Sequence, residues 1–180
     1  MKRVLFALLA LLLVLPLVAC GDVKVIDKGG NDAVKVPTDP AGSTAGYLFK
    51  NGDATVAVDE MMSAVLTDLG EPKQYYEAAS CAFNGLDKMY TYEHFEVDSY
   101  PAPDGDRVQS IFLMDDLVAT AEGLRIGDSR AKAEELYGTD CEVVGTESIY
   151  TKGGMKLKVM MENDVVTYIT YLSCAADFDE

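Results

Sequence analysis

Leu124-Arg125-Ile126-Gly127-Asp128-Ser129-Arg130-Ala131-Lys132-Ala133-Glu134-Glu135-Leu136-Tyr137-Gly138 is the stretch that decides how the folded part of this chain is read. Ala133, Leu136 and Tyr137 fall at helical spacing, Asp128 or Ser129 suits the N-cap, and Gly138 suits the stop. The pattern then turns to β. Residues 148–151, a Gly153-Gly154 turn, residues 155–161, an Asn163-Asp164 turn and residues 165–172 alternate as strands joined by tight hairpins.

The same order appears earlier in the chain. Thr55-Val56-Ala57-Val58 leads to Asp59, a good N-cap type, and Met62, Val65, Leu66 and Leu69 follow at helical spacing. Gly70 and Pro72 provide the stop. Residues 88–92 and 94–100 alternate, Pro101, Pro103 and Asp104-Gly105 turn the chain, and residues 107–114 return. The closing strands match, Val108-Gln109-Ser110-Ile111 against Val166-Thr167-Tyr168-Ile169. The first copy is the longer, which places an insertion around residues 78–87. The expected fold is therefore α+β: two tandem units of helix plus antiparallel sheet, about 47–116 and 117–174, in one domain over 47–174. An acidic tail, 175–180, ends the chain.

Ile126-Gly127-Asp128, Tyr137-Gly138, Leu69-Gly70-Glu71-Pro72 and the paired Val-x-x-Ile strands resemble the β-lactamase-inhibitor-protein architecture. A single unit is similar to the BamE (SmpA) lipoprotein domain. Ser80-Cys81-Ala82-Phe83, with Asp87-Lys88-Met89-Tyr90-Thr91-Tyr92, also resembles a group of small lipoproteins of Gram-positive gut bacteria. The resemblance implies a tandem fold and a part in envelope assembly or binding; its short structural motifs speak to fold more than to activity.

The amino terminus indicates where such a domain would work. Met1-Lys2-Arg3 precedes an apolar run, residues 4–18, which closes as Leu17-Val18-Ala19-Cys20. That run reads as an export signal, 1–19, and its end has the lipobox pattern. Likeness to lipoprotein signals implies cleavage before Cys20 and attachment of diacylglycerol to its sulfur. The expected location is the extracytoplasmic face of the cell membrane, or the outer membrane in a host with two. Residues 20–46 carry the anchor and then Gly29-Gly30, Pro37, Pro40, Gly42 and Gly46, and read as a flexible tether. A coil of that length has an r.m.s. span of about 25–30 Å.

The chain of 180 residues carries 15 basic and 30 acidic side chains. Loss of Lys2 and Arg3 with the leader takes its net charge from −15 to −17. This argues against nucleic acid and anionic headgroups, both of which need clustered Lys and Arg. Beyond the anchor stand Cys81, Cys141 and Cys174, an odd number, so one disulfide among them and one free thiol is the expectation, with the pairing open. No two lie at CxxC spacing and His94 is the only histidine, so no metal and no cofactor is expected.

Catalytic candidates are few. Gly127-Asp128-Ser129 is similar to the start of GDS esterases, but no histidine follows Ser129 to act as its base. Asp104-Gly105-Asp106 and Asp115-Asp116 lack the regular oxygen spacing of a calcium loop and suit turns. The expectation is a non-enzyme. Phe95, Val97, Leu157 and Val159 are expected to face the helices. The opposite face is expected to carry Tyr90, Tyr92, His94, Glu96, Asp98, Tyr100, Lys156, Lys158 and Met160. Of these, Tyr90, Tyr92, His94, Tyr100, Lys156 and Lys158 are the candidate contacts for a protein or peptide partner. The expected function is a membrane-anchored binding or envelope-scaffold module; the alternative is a small cell-wall or peptide hydrolase using Ser129, Cys81 or the acidic turns.

Overall fold

The computed structural model describes residues 46–176. The leader, Cys20, the tether before residue 46 and residues 177–180 of the tail lie outside the described residues. The domain opens with a two-stranded hairpin, β1 (Phe49–Asn51) and β2 (Ala54–Val56), followed by helix α1 (Met62–Leu69). Four strands follow: β3 (Gln74–Ala79), β4 (Leu86–Thr91), β5 (Phe95–Ala102) and β6 (Gly105–Leu113). Helix α2 (Arg130–Tyr137) leads into β7 (Glu142–Val144), β8 (Glu147–Lys152), β9 (Met155–Glu162) and β10 (Val165–Ser173). A short 3-10 turn, Cys174–Ala176, closes the described chain.

Strands β3–β10 make one antiparallel sheet in the order β3-β4-β5-β6-β10-β9-β8-β7. This overturns the expected α+β fold of two helix-plus-sheet units. The protein is mostly β: β6 and β10 pair directly, from Ile169 opposite Leu113 to Leu172 opposite Ser110, so one sheet runs through both halves. The helices are eight residues each, about 12 Å long, and cannot make a layer equal to eight strands. They form just over two turns each. Strands β3 and β7 were not anticipated, because every residue in them is exposed and neither shows one-sided alternation.

Local signals account for the helix ends. Gly70 and Gly138 stop the helices at φ of 75° and 82°, and their N–H groups donate to the carbonyl oxygens of Leu66 and Glu134. Ser129 caps α2 by accepting from the Lys132 N–H. The expectation that Asp59 caps α1 is wrong. The N-cap is Met61, without a side-chain bond, and Asp59 stands before it at φ 63°.

Asp59 belongs to a backbone clamp that occurs twice. The Asp59 N–H donates to the Val108 carbonyl, and the Val108 N–H donates to the Glu60 carbonyl. In the same way the Gly127 N–H donates to Val166, and the Val166 N–H donates to Asp128. Gly127 holds φ 93°, so Asp59 occupies the position that glycine fills in the second clamp. Beside each clamp lies a bulge. Ser99 pairs with Val108 and Asp98 with Ser110, which leaves Gln109 as the extra residue on β6. Val166 pairs with Met161 and Tyr168 with Met160, which leaves Thr167 as the extra residue on β10. In a regular strand, residues three apart face opposite ways. Here the extra residue lets Val108 and Ile111, and likewise Val166 and Ile169, all point into the core.

The core lies on one face of the sheet. Phe95, Val97, Val108, Ile111, Leu113, Leu157, Val159, Ile169 and Tyr171 pack with Phe49 and Val56 of the hairpin, Met62 and Val65 of α1, Leu124, and Ala133 of α2. Phe95, Val97, Leu157 and Val159 thus sit where alternation puts them.

The Asp59 carboxylate accepts from the Tyr100 hydroxyl at 3.0 Å and the Ser173 hydroxyl at 2.5 Å, while Arg107 donates to its carbonyl. Tyr100 and Ser173 are buried. Asp59→Ala is expected to destabilise the domain by about 3 kcal/mol in urea unfolding, by stranding two hydroxyls and by leaving at positive φ a residue without the polar side chain that lets Asp tolerate it. Asp59→Gly relieves the backbone term and should lose about 1 kcal/mol less. Equal losses would show that the φ of residue 59 does not matter.

Candidate functional site

Among the described residues neither helix packs on the other face of the sheet, and register places its side chains in ranks across the strands. One rank runs Gln74, Thr91, Glu96, Phe112, Thr170, Lys158, Ile149 and Glu142. The next runs Tyr76, Met89, Asp98, Ser110, Leu172, Lys156 and Thr151. A third contains Tyr168, Met160, Glu147 and Val144. Short cross-strand bonds fit the ranks: Thr91 donates to Glu96 at 2.8 Å and Ser110 to Asp98 at 3.1 Å.

Of the expected contact residues, Lys156 and Lys158 lie on this face, together with Glu96, Asp98 and Met160. Tyr90 and Tyr92 do not. They belong to the core, 6% and 8% exposed, and Tyr92 stacks on Phe95 at 4.8 Å and donates to the Gly70 carbonyl. The reason is hairpin parity. Tyr90 pairs with Val97, so even-numbered residues of β4 share a face with odd-numbered residues of β5. Burial pushes the Tyr90 and Tyr92 hydroxyls up from the usual tyrosine value. Tyr100 is 7% exposed and is taken up by Asp59 and by stacking on Phe83 at 4.9 Å; burial and the Asp59 charge push it up to about 12. None of the three tyrosines is available to a partner.

His94 stands at the mouth of β5, its Nδ1 2.7 Å from Asp115, whose carboxyl that contact holds below the usual range. Of the catalytic candidates, Ser129 and the first acidic turn have structural partners, and Cys81 is an exposed thiol. Ser129 caps α2, Asp104 pairs with Arg107, and Asp106 pairs with Lys88 at 2.6 Å. No disulfide joins Cys81, Cys141 and Cys174. Cys81 follows β3 and Cys141 precedes β7, at opposite edges of the sheet, about 30 Å apart at the usual strand spacing and far beyond bridging distance. Among the described residues no three His, Cys, Asp or Glu side chains gather to hold a metal ion. No helix there is long and apolar enough to cross a membrane.

What sequence reasoning missed is the middle of the face. Phe112 and Tyr168 meet at 5.8 Å between ring centres. They line both a groove of about 550 Å³, with Met89, Glu96, Asp98, Met114, Ile126 and Thr167, and a second of about 230 Å³, with Glu147, Lys158, Thr170 and Leu172. The signal was present in the Val-x-x-Ile spacing, since the bulges it encodes turn Phe112 and Tyr168 outward.

Asp98 is the least comfortable group on this surface. Burial, reinforced by the Glu96 carboxylate, pushes its carboxyl up to about 6 against the opposing bond from Ser110. Its Oδ1 is buried without a hydrogen-bond partner. Asp98 is thus held on this face at a cost to stability. No family model, curated protein or solved structure matches the chain.

The sign of the Asp98 effect follows from its direction. Folding favours the protonated acid, so the stabilisation is complete below about 3.8 and is lost as pH rises through about 6. Asp98→Asn removes the charge penalty and is expected to raise unfolding stability by about 1–2 kcal/mol at pH 7.5, a value reduced for partial solvent access. The gain should vanish near pH 3.5. Urea titrations at the two pH values check this, and a gain independent of pH would contradict it.

Proposed function

We propose that the protein is a membrane-anchored extracytoplasmic binding module that holds a protein or peptide partner on the open face of its sheet. The observation that carries the reading is the Phe112–Tyr168 groove, an apolar floor between charged walls on a face that no helix covers among the described residues. Aromatic and methionine side chains at the centre with charges at the rim are the usual anatomy of a protein-binding patch. The lipobox ending at Cys20 supports the anchor, and the Gly- and Pro-rich residues 21–46 support a spacer between it and the domain. The acidic balance keeps such a domain off anionic headgroups and leaves the face open to the extracytoplasmic space.

Two experiments test the two halves of the proposal. Cys20→Ala is expected to abolish metabolic labelling with palmitate and to move the protein from the membrane to the soluble fraction. Retained labelling would contradict the anchor. Photo-cross-linking in intact cells with benzoylphenylalanine at position 112 or 168 is expected to give discrete adducts, whereas the same probe at Lys132 on α2 gives none. Equal adducts from all three positions would contradict the face.

A further inference from the structure

The open face has opposite charges at its two ends, and register shows how far apart they are. Glu96 on β5 and Lys158 on β9 lie in one rank, separated by Phe112 on β6 and Thr170 on β10. In the neighbouring rank Asp98 and Lys156 are separated by Ser110 and Leu172. The same polarity occurs in both ranks across three strand spacings, about 14 Å. The two grooves share Phe112 and Tyr168 as a common floor and run from the acidic end to the basic one. Glu147 lines the basic end, in a different rank from Lys158 and Lys156.

We propose that this face binds a short extended peptide lying across the strands, with a basic residue over Glu96 and Asp98, an apolar side chain on the Phe112–Tyr168 pair, and an acidic residue over Lys158 and Lys156. This rests on the binding-face reading and deepens it by naming the ligand. Charge complementarity selects the occupant. A second copy of the chain, with net charge −15 in full and −17 without Lys2 and Arg3, is repelled as a whole, and a uniformly basic segment would set like charges against Lys156 and Lys158. An extended chain advances about 3.3 Å per residue, so charges four residues apart match the 14 Å between the poles. The Oδ1 of Asp98, unsatisfied while its other oxygen accepts from Ser110, fits the same reading, because an arriving ammonium or guanidinium offers the carboxylate a charge-assisted bond.

The test is a specificity cycle with capped synthetic pentapeptides, read by isothermal titration at low salt. The native domain is expected to bind Lys-Ala-Leu-Ala-Glu at least ten-fold more tightly than Lys-Ala-Leu-Ala-Lys or Glu-Ala-Leu-Ala-Glu. Glu96→Lys should move the preference to the doubly acidic peptide, and Lys158→Glu to the doubly basic one. The double variant Glu96→Lys/Lys158→Glu should restore preference for the dipolar peptide, in the reverse orientation. Circular dichroism and thermal unfolding confirm that each variant folds, and Glu96→Gln with Lys158→Gln replaces any that does not, with loss of discrimination as the expected result. Equal binding of the three peptides, or no binding to the native domain at millimolar concentration, overturns the proposal. If cross-linking through positions 112 and 168 persists in that case, only the ligand assignment fails. If it is lost as well, the binding face itself fails.

Discussion

The bulges at Gln109 and Thr167 govern the two central strands, and the rest of the structure depends on them. Each adds one residue at the point where a backbone clamp ties the start of a helix to the sheet. A bulge shifts facing by one position, so the strand before it and the strand after it can both send apolar side chains inward. Without the shift, either Val108 or Ile111 would face solvent, as would either Val166 or Ile169. With it, Phe112 and Tyr168 are the side chains that turn outward, next to one another on β6 and β10. The core and the candidate binding floor therefore share one cause.

The same geometry explains where charge lies on the open face. Strand β5 alternates Phe95, Val97 and Ser99 inward with Glu96 and Asp98 outward, and β9 alternates Leu157 and Val159 inward with Lys156 and Lys158 outward. Because β6 and β10 stand between them, the acids of β5 and the bases of β9 are kept apart by two strands of apolar and hydroxyl side chains. The pairs are too distant to neutralise one another in water at ordinary ionic strength. Asp98 is held under a burial penalty, beside the like charge of Glu96 and with one oxygen unsatisfied. A fold selected for stability alone would place an uncharged amide or an apolar residue there.

Features that rest on neighbouring residues were legible in the sequence. The glycine stops at Gly70 and Gly138, the Ser129 cap, the Gly153-Gly154 and Asn163-Asp164 turns and the inward set Phe95, Val97, Leu157 and Val159 follow from local chemistry. Long-range pairing was not legible. The union of β6 with β10 converts the expected pair of α+β units into one mostly β sheet, and no short window encodes it. Strand β3 was invisible for another reason: Tyr75 and Tyr76 are both exposed at an edge, so no alternation marks it. The face of Tyr90 and Tyr92 depended on the parity of one hairpin, which a count of residues on β4 alone cannot supply. Of the candidate contacts, the lysines of β9 lie on the expected face because their strand is regular, and the tyrosines lie on the other because theirs must be placed through a turn or a bulge. Asp59 escaped because its carboxylate serves Tyr100 and Ser173, far away in the chain.

The central claim is that the outward face of β5, β6, β10 and β9 is the surface this protein uses. Oxidative footprinting of the methionines measures it directly, because Met89, Met114 and Met160 belong to the open side while Met62, Met155 and Met161 are buried in the core. The isolated domain should oxidise at the first three and spare the second three. In intact cells, Met89, Met114 and Met160 should be protected relative to the isolated domain, with exposed Leu117 labelled as before. Equal oxidation of those methionines in cells and in the isolated domain would contradict the claim.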